Sequence, residues 1–121
     1  MDYRIELIII PVSDVDRAKQ FYVEKMGFHL DHDQRVSDEL RFVQITPPGS
    51  ACSIAFGEGL TEAEPGSVKG IQVVIADADQ AHAELSARGV TVTGVQEMAW
   101  GRFVFLSDPD GNAWSLQQIP A

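Results

Sequence analysis

The stretch "PVSDVDRAKQFYVEKMGF", Pro11–Phe28, has a second copy further along the chain. Laid over "VIADADQAHAELSARGVT", Val74–Thr91, it pairs Asp14 with Asp77 and Ala18 with Ala81. Each copy reads as a helix with an acidic start and a glycine stop. Ser13 or Asp14 caps the first, with Gly27 just past its end; Asp77 caps the second, with Gly89 behind it. Val15, Ala18, Phe21, Tyr22 and Met26 share one face at helical spacing, which assigns Phe21 and Tyr22 to the core.

The same order extends outward from both helices. "RIELIIIPV", Arg4–Val12, and "GIQVVIA", Gly70–Ala76, are short, apolar and β-branched, as buried strands are. Three strand-like pieces follow each helix. In the first half they are "FHLDHDQR", "ELRFVQIT" and "ACSIAFG"; in the second, "VTVTGVQE", "GRFVFLSD" and "AWSLQQI". The predicted fold is α+β: two tandem βαβββ modules whose curved mixed sheets form a cleft. Residues 1–57 make the first module and 70–121 the second. The polar connector 58–69, "EGLTEAEPGSVK", carries the Pro and Gly of a boundary inside one compact domain.

Composition narrows the partners. With 9 Lys plus Arg against 18 Asp plus Glu among 121 residues, the formal net charge is −9. Such a chain repels phosphate backbones, which argues against nucleic acid, and it attracts cationic small molecules. Cys52 is the only cysteine, so neither an internal disulfide nor a CxxC site exists; in "SACSIAFG" it reads as a small core residue. "IELIIIPV" is too short to span a bilayer and is broken by Pro11. The expectation is a soluble, cytoplasmic protein without a membrane partner.

"SDPDGNAWSLQQ", Ser107–Gln118, is a turn followed by a strand. Asp108-Pro109 starts the turn, and Gly111 or Asn112 takes the positive φ. Asp108 and Asp110 are read as satisfying backbone amides there. The turn sets the register of the last strand, and so which side chains face the cleft.

With these residues the chain resembles the vicinal oxygen chelate superfamily, the glyoxalase, bleomycin-resistance and extradiol-dioxygenase fold. "VSDVDRAKQFYVEKMGF" and "FLSDPDGNAWSLQ" carry the resemblance, which covers essentially the whole chain. It implies a divalent-metal site with one ligand on each of four strands. Counting from the capping aspartates and the turn gives Leu7, Gly70 and Ser115, and the pseudo-symmetry of "CSI" with "WSL" pairs Ser115 with Ser53. None is the imidazole or carboxylate that a catalytic divalent metal takes, so no metal and no other cofactor is expected. A bulge in the first strand would bring Glu6 inward, and Gln72 follows Gly70 on the same face. His29, His32 and His82 lie outside the four strands and read as solvent-exposed or capping.

What remains is an apolar cleft with sparse neutral polar groups, which suits a small molecule. Its expected lining is Phe42, Gln44 and Ser53 from the first module, with Gln72, Trp100, Arg102, Phe103 and Ser115 from the second. Trp100, before Gly101 at a strand start, offers an exposed stacking surface; Trp114 points to the helix side. The resemblance then implies a metal-independent protein of the bleomycin-resistance branch, a homodimer sequestering a planar or amphipathic, antibiotic-like ligand. The "AWGR" and "FLSDPDGN" segments also resemble relatives that hold aromatic antibiotics. Two readings stay open beside it. One is a glyoxalase-like lyase, isomerase or dioxygenase with a divergent site, for which Glu6 is the best base. The other is an accessory module whose cleft is vestigial.

Overall fold

The computed structural model describes residues 1–121. The first module runs β1 (Leu7–Ile9), α1 (Val15–Gln20), β2 (His29–Ser37), β3 (Leu40–Thr46) and β4 (Ser53–Glu58). The second runs β5 (Ile71–Ile75), α2 (Ala78–Ala87), β6 (Gln96–Met98), β7 (Gly101–Ser107) and β8 (Ala113–Gln118). Each module is a four-stranded sheet, ordered β1-β4-β3-β2 and β5-β8-β7-β6. In both, the first strand pairs parallel with the last and the other pairs are antiparallel. The fold is thus the expected duplicated βαβββ, α+β with two mixed sheets.

The helix caps repeat as the sequence does. Asp14 Oδ1 accepts the Arg17 amide at 3.0 Å, and Asp77 Oδ1 accepts the Gln80 amide at 3.0 Å. Each side chain thereby serves an amide that the helix itself leaves without a partner. Helix α1 departs from the regular period. It continues as a wide π turn over Phe21–Lys25, with the Met26 amide bonded to the Phe21 carbonyl at 2.9 Å. The extra residue in that turn accompanies burial of two adjacent aromatics, Phe21 and Tyr22.

One core serves both modules. Ile10, Tyr22, Ile45 and Phe56 of the first pack with Val104, Trp114 and Leu116 of the second, beneath the two helices. Trp114, 1% exposed, lies against Tyr22 and Phe28 at ring distances of 5.7 and 5.6 Å. Strand alternation therefore leaves the opposite face of each sheet without a helical cover.

The "SDPDGN" turn fastens the modules together. Asp108, buried, accepts the Asp110 and Asn112 amides on Oδ1, both at 2.9 Å. On Oδ2 it accepts the Tyr22 hydroxyl at 2.7 Å and the Asn112 side chain at 2.8 Å. Trp114 Nε1 donates to the Tyr22 oxygen at 3.0 Å. Burial, and then the Asp108 charge, push the Tyr22 phenol far above its ordinary range, so it stays a donor. Asn112 also donates to the Pro11 carbonyl at 2.8 Å and accepts the Val68 amide at 3.2 Å. Asp110 departs from its expected role: its carboxylate reaches the amide and hydroxyl of Ser13, ahead of α1. The positive φ falls on Gly111, at 100°.

Two further expectations are corrected. "VTVTGVQE" makes a strand only from Gln96; before it, Val92 forms a single bridge with Leu106. There Thr93 Oγ1 accepts the Phe105 amide at 3.0 Å, so a side chain takes a bond that a ladder carbonyl would have taken. Cys52 is half-buried at the edge of β4 and does not join the core. His29 and His32 lie exposed on β2, off the four strands considered for a metal, as expected.

Candidate functional site

The uncovered face of the second sheet is aromatic. Along β7, Val104 and Leu106 enter the core, which turns Phe103 and Phe105 the other way. Their rings stack nearly parallel, 5.6 Å apart at 8°. On β8 the same face carries Ser115 and Gln117, since Trp114 and Leu116 are core residues. The register sets Phe105 and Gln72 on either side of Ser115, and Phe103 beside Gln117.

An amide chain crosses this face. Gln72 Nε2 donates to Gln117 Oε1 at 2.8 Å, and Gln117 Nε2 donates to the Trp100 carbonyl at 2.8 Å. Gly101 adopts a φ of 144° against β8, where a Cβ would stand 2.4 Å from the Gln118 carbonyl oxygen. No side chain fits there, so the β6–β7 corner is held close to β8. The Trp100 backbone is thereby fixed while the residue remains 62% exposed. A recess of ≈ 590 Å³ opens beside this face, lined by Lys69, Thr93, Phe105, Ser107, Ala113 and Ser115 among others. A second, of ≈ 510 Å³, lies at the seam between modules, with Met26, Phe28, Pro47, Val73 and Leu85 in its walls. It touches the first face only through Gln72 and Val74.

The first sheet presents a more polar face. Val43 and Ile45 of β3 are core residues, so Phe42, Gln44 and Thr46 point the other way. Ser53 and Ala55 lie beside them on β4, and Ser53 Oγ meets Thr46 Oγ1 at 2.6 Å.

Seven of the eight residues expected to line a cleft therefore fall on faces without a helical cover. Phe42, Gln44 and Ser53 share the first; Gln72, Phe103 and Ser115 share the second, with Trp100 at its corner. Arg102 does not, and that expectation is corrected. It lies on the helix side, where it pairs with Asp79 of α2 at 2.8 Å and Glu97 of β6 at 2.7 Å. Strand alternation dictates this, because Arg102 and Phe103 are adjacent. Gln117 shares this face and was not among the expected residues, although Ser115 two residues earlier on the same strand gives its direction.

The positions where relatives carry metal ligands are partly displaced. Leu7 does lie opposite Ser53. Gly70 precedes β5, and Gln72 is the residue opposite Ser115. Counted from the caps Asp14 and Asp77, Gln72 corresponds to Ile9, whose ladder partner is Ala55. The counterpart of Ser115 is thus Ala55 and not Ser53. The β1–β4 ladder has no bulge, and Glu6 is exposed just ahead of it, its carbonyl accepting the Ser53 amide at 2.9 Å. No group of three or more His, Cys, Asp or Glu side chains is placed to hold a metal ion.

Two capped helices over two such sheets, with the "DPDGN" turn between, define the class. The chain belongs to the Glyoxalase/Bleomycin resistance protein/Dioxygenase superfamily, whose family model matches residues 4–116. It is similar to TnmS3, an antibiotic binding protein from Streptomyces sp. CB03234, at 38% identity, 98% coverage of both chains and a TM-score of 0.89. A glyoxalase/bleomycin resistance protein from the same strain is 39% identical, over 95% of this chain and 100% of that one, with a TM-score of 0.83. A superfamily member from Sphaerobacter thermophilus DSM 20745 is 36% identical, over 97% and 98%, with a TM-score of 0.85.

Proposed function

We propose that this protein binds a planar or amphipathic small molecule of antibiotic type on the faces its helices leave uncovered, and that it holds the molecule unchanged. The observation that carries this reading is the second sheet's face. It combines the partly exposed Phe105 ring, backed by the buried Phe103, with the exposed Trp100 ring and a line of neutral amides from Gln72 to Gln117. Open aromatic rings supply apolar contact area, and a few placed amides supply orientation. The similarity to an antibiotic binding protein over 98% of the chain supports the ligand class.

The reading is metal-independent. Leu7 offers no donor atom, Ser53 and Ser115 offer neutral hydroxyls, and Gln72 offers an amide. Catalytic divalent metals take imidazole and carboxylate, so these residues do not fit one. The exposure of Glu6 also removes the burial that would poise it as a general base.

The test is a fluorescence titration against a panel of polycyclic aromatic antibiotics, followed by recovery of the ligand for mass spectrometry. A saturable complex that returns the compound intact is the expected result. Recovery of a transformed product with turnover would establish the enzyme reading instead. One tightly held zinc, nickel, iron or manganese per chain, found by elemental analysis, would overturn metal independence.

A further inference from the structure

We propose that the uncovered face of the first sheet carries a recognition site for a protonated amine, centred on Asp31. The proposal rests on the reading that this face binds a small molecule, and it names one chemical feature of that molecule.

The site is made by a β-bulge. In the β2–β3 ladder, Leu30 pairs with Ile45 and His32 with Gln44, so Asp31 is the extra residue between them. Leu30 packs against the core. Regular alternation would then turn His32 back toward the core after Asp31. The bulge instead sets Asp31 and His32 on the same uncovered face, the re-aiming that such insertions produce.

The hydrogen bonds around Asp31 leave only acceptors. Its Oδ2 takes the Thr46 hydroxyl proton and, at 3.4 Å, Gln44 Nε2. An ionised carboxylate can only accept, so the Thr46 proton is committed to it. Thr46 must then accept from Ser53 Oγ, 2.6 Å away, which commits the Ser53 proton as well. What the chain leaves to a ligand is the Oδ1 of Asp31, which is partly exposed, whereas Ser53 is buried behind it. A group with several N–H donors and a positive charge complements that oxygen.

No lysine or arginine neutralises this carboxylate. On the helix side, Asp33 is held by Arg41 and Lys19, Asp79 by Arg102, and Asp110 by Arg17. Asp31, with its side chain 21% exposed, has only His29 Nε2 at 3.6 Å, and that ring is 76% exposed. His32 is the other titratable group on the face, opposite Gln44. A half-buried carboxylate without a cation is unfavourable in itself, and a ligand ammonium relieves it. A divalent metal is a poorer occupant, because no group of three potential metal-ligating side chains surrounds the position. Phe42 lies two residues from Gln44 on the same face and can receive the apolar body attached to the amine.

The test compares benzylamine with benzyl alcohol, which share a ring and differ in charge, by amide chemical shifts of the ¹⁵N-labelled protein at a pH of about 7.5. Benzylamine is expected to shift the Asp31, Thr46 and Ser53 amides saturably and to bind about tenfold more tightly than the alcohol. Asp31→Asn keeps an acceptor for Thr46 and should abolish that preference; Asp31→Ser serves if the first variant does not fold. Equal binding of the two probes, no saturable shift with benzylamine, or a preference that survives in the variant would each overturn the site. A parallel titration with 9-anthracenemethanol, followed by Trp100 fluorescence, reports on the aromatic face alone. Binding of the amine without the anthracene leaves this site standing and removes the aromatic reading. The reverse removes only the amine site.

Discussion

The chain's two tryptophans have opposite fates, and strand alternation sorts them. Trp114 shares its side of β8 with Leu116 and is locked by Tyr22. Trp100 stands at a hairpin corner with its backbone tied down and its ring free. Trp100→Ala should therefore lose ligand affinity by about thirtyfold, on the order of 2 kcal/mol for stacking plus buried area. Its melting temperature without ligand should stay close to the parent's. A variant that unfolds much earlier, or binds as well as before, would make Trp100 a packing residue. Tyr22→Phe should behave oppositely, leaving Asp108 and the Trp114 indole short of a partner in the core. Asp108 keeps its Asp110 and Asn112 donors, but the Trp114 N–H loses its only acceptor, at a cost of about 1–3 kcal/mol that urea unfolding would register directly. Both tryptophan positions were legible in the sequence, because each follows from its neighbours. The partners of Tyr22 were not: Asp108 and Trp114 lie a module away along the chain, and spacing carries no record of them. Arg102 shows the same limit from the other side. A cation beside aromatic residues invites a binding role, but its direction is set by strand register and by Asp79 on a distant helix.

Among the elements, the helices were the most readable, since cap, period and stop are all local. Asp77→Ala should cost about 1 kcal/mol through loss of the Gln80 amide's partner, measurable by denaturant unfolding. The π turn at Phe21 escaped the reading because two adjacent aromatics fit a helical face loosely under either period. The bulge at Asp31 escaped for a similar reason, as its polar run "HLDHDQR" alternates too weakly to fix a register. Strand β2 is tied to α1 by Asp33, which accepts Arg41 and Lys19. Those hydrogen bonds, Arg41's first, hold the Asp33 carboxyl down at about 2 against an ordinary 3.8. A depressed carboxyl contributes stability that is fully present above its unfolded pKa and disappears as pH falls through the folded value. The parent should thus lose stability between pH about 4 and about 2, and Asp33→Asn should lose less over that interval. Urea midpoints across this range provide the comparison; identical pH slopes in the two proteins would show that the ion pairs contribute nothing.

At the scale of the whole molecule, each module buries one sheet face beneath the helices and leaves the other, together with one parallel edge, without a partner. The edges are β1 and β5. Around them Ile5, Ile8, Ile9 and Val74 are 68%, 42%, 40% and 66% exposed. Apolar side chains beside unpaired backbone mark a surface that folded proteins usually cover. The duplicated architecture was legible because two copies of one pattern reinforce each other, whereas the joining of modules through Asp108, Asn112 and Pro11 was not. That latch holds the helix sides together within one chain. It leaves the uncovered faces to meet another partner, and a second copy is the partner a closed, symmetric assembly would supply. Light scattering at micromolar concentration is accordingly expected to give twice the 13.3 kDa chain mass. Val74→Lys would place a charge on the β5 edge and should shift the protein toward monomer. If the ligand is held between faces of two copies, the same variant should weaken binding in step with dissociation, while Trp100→Ala weakens it within an intact dimer. A monomeric parent that binds ligand at full strength would confine the site to one face of one chain.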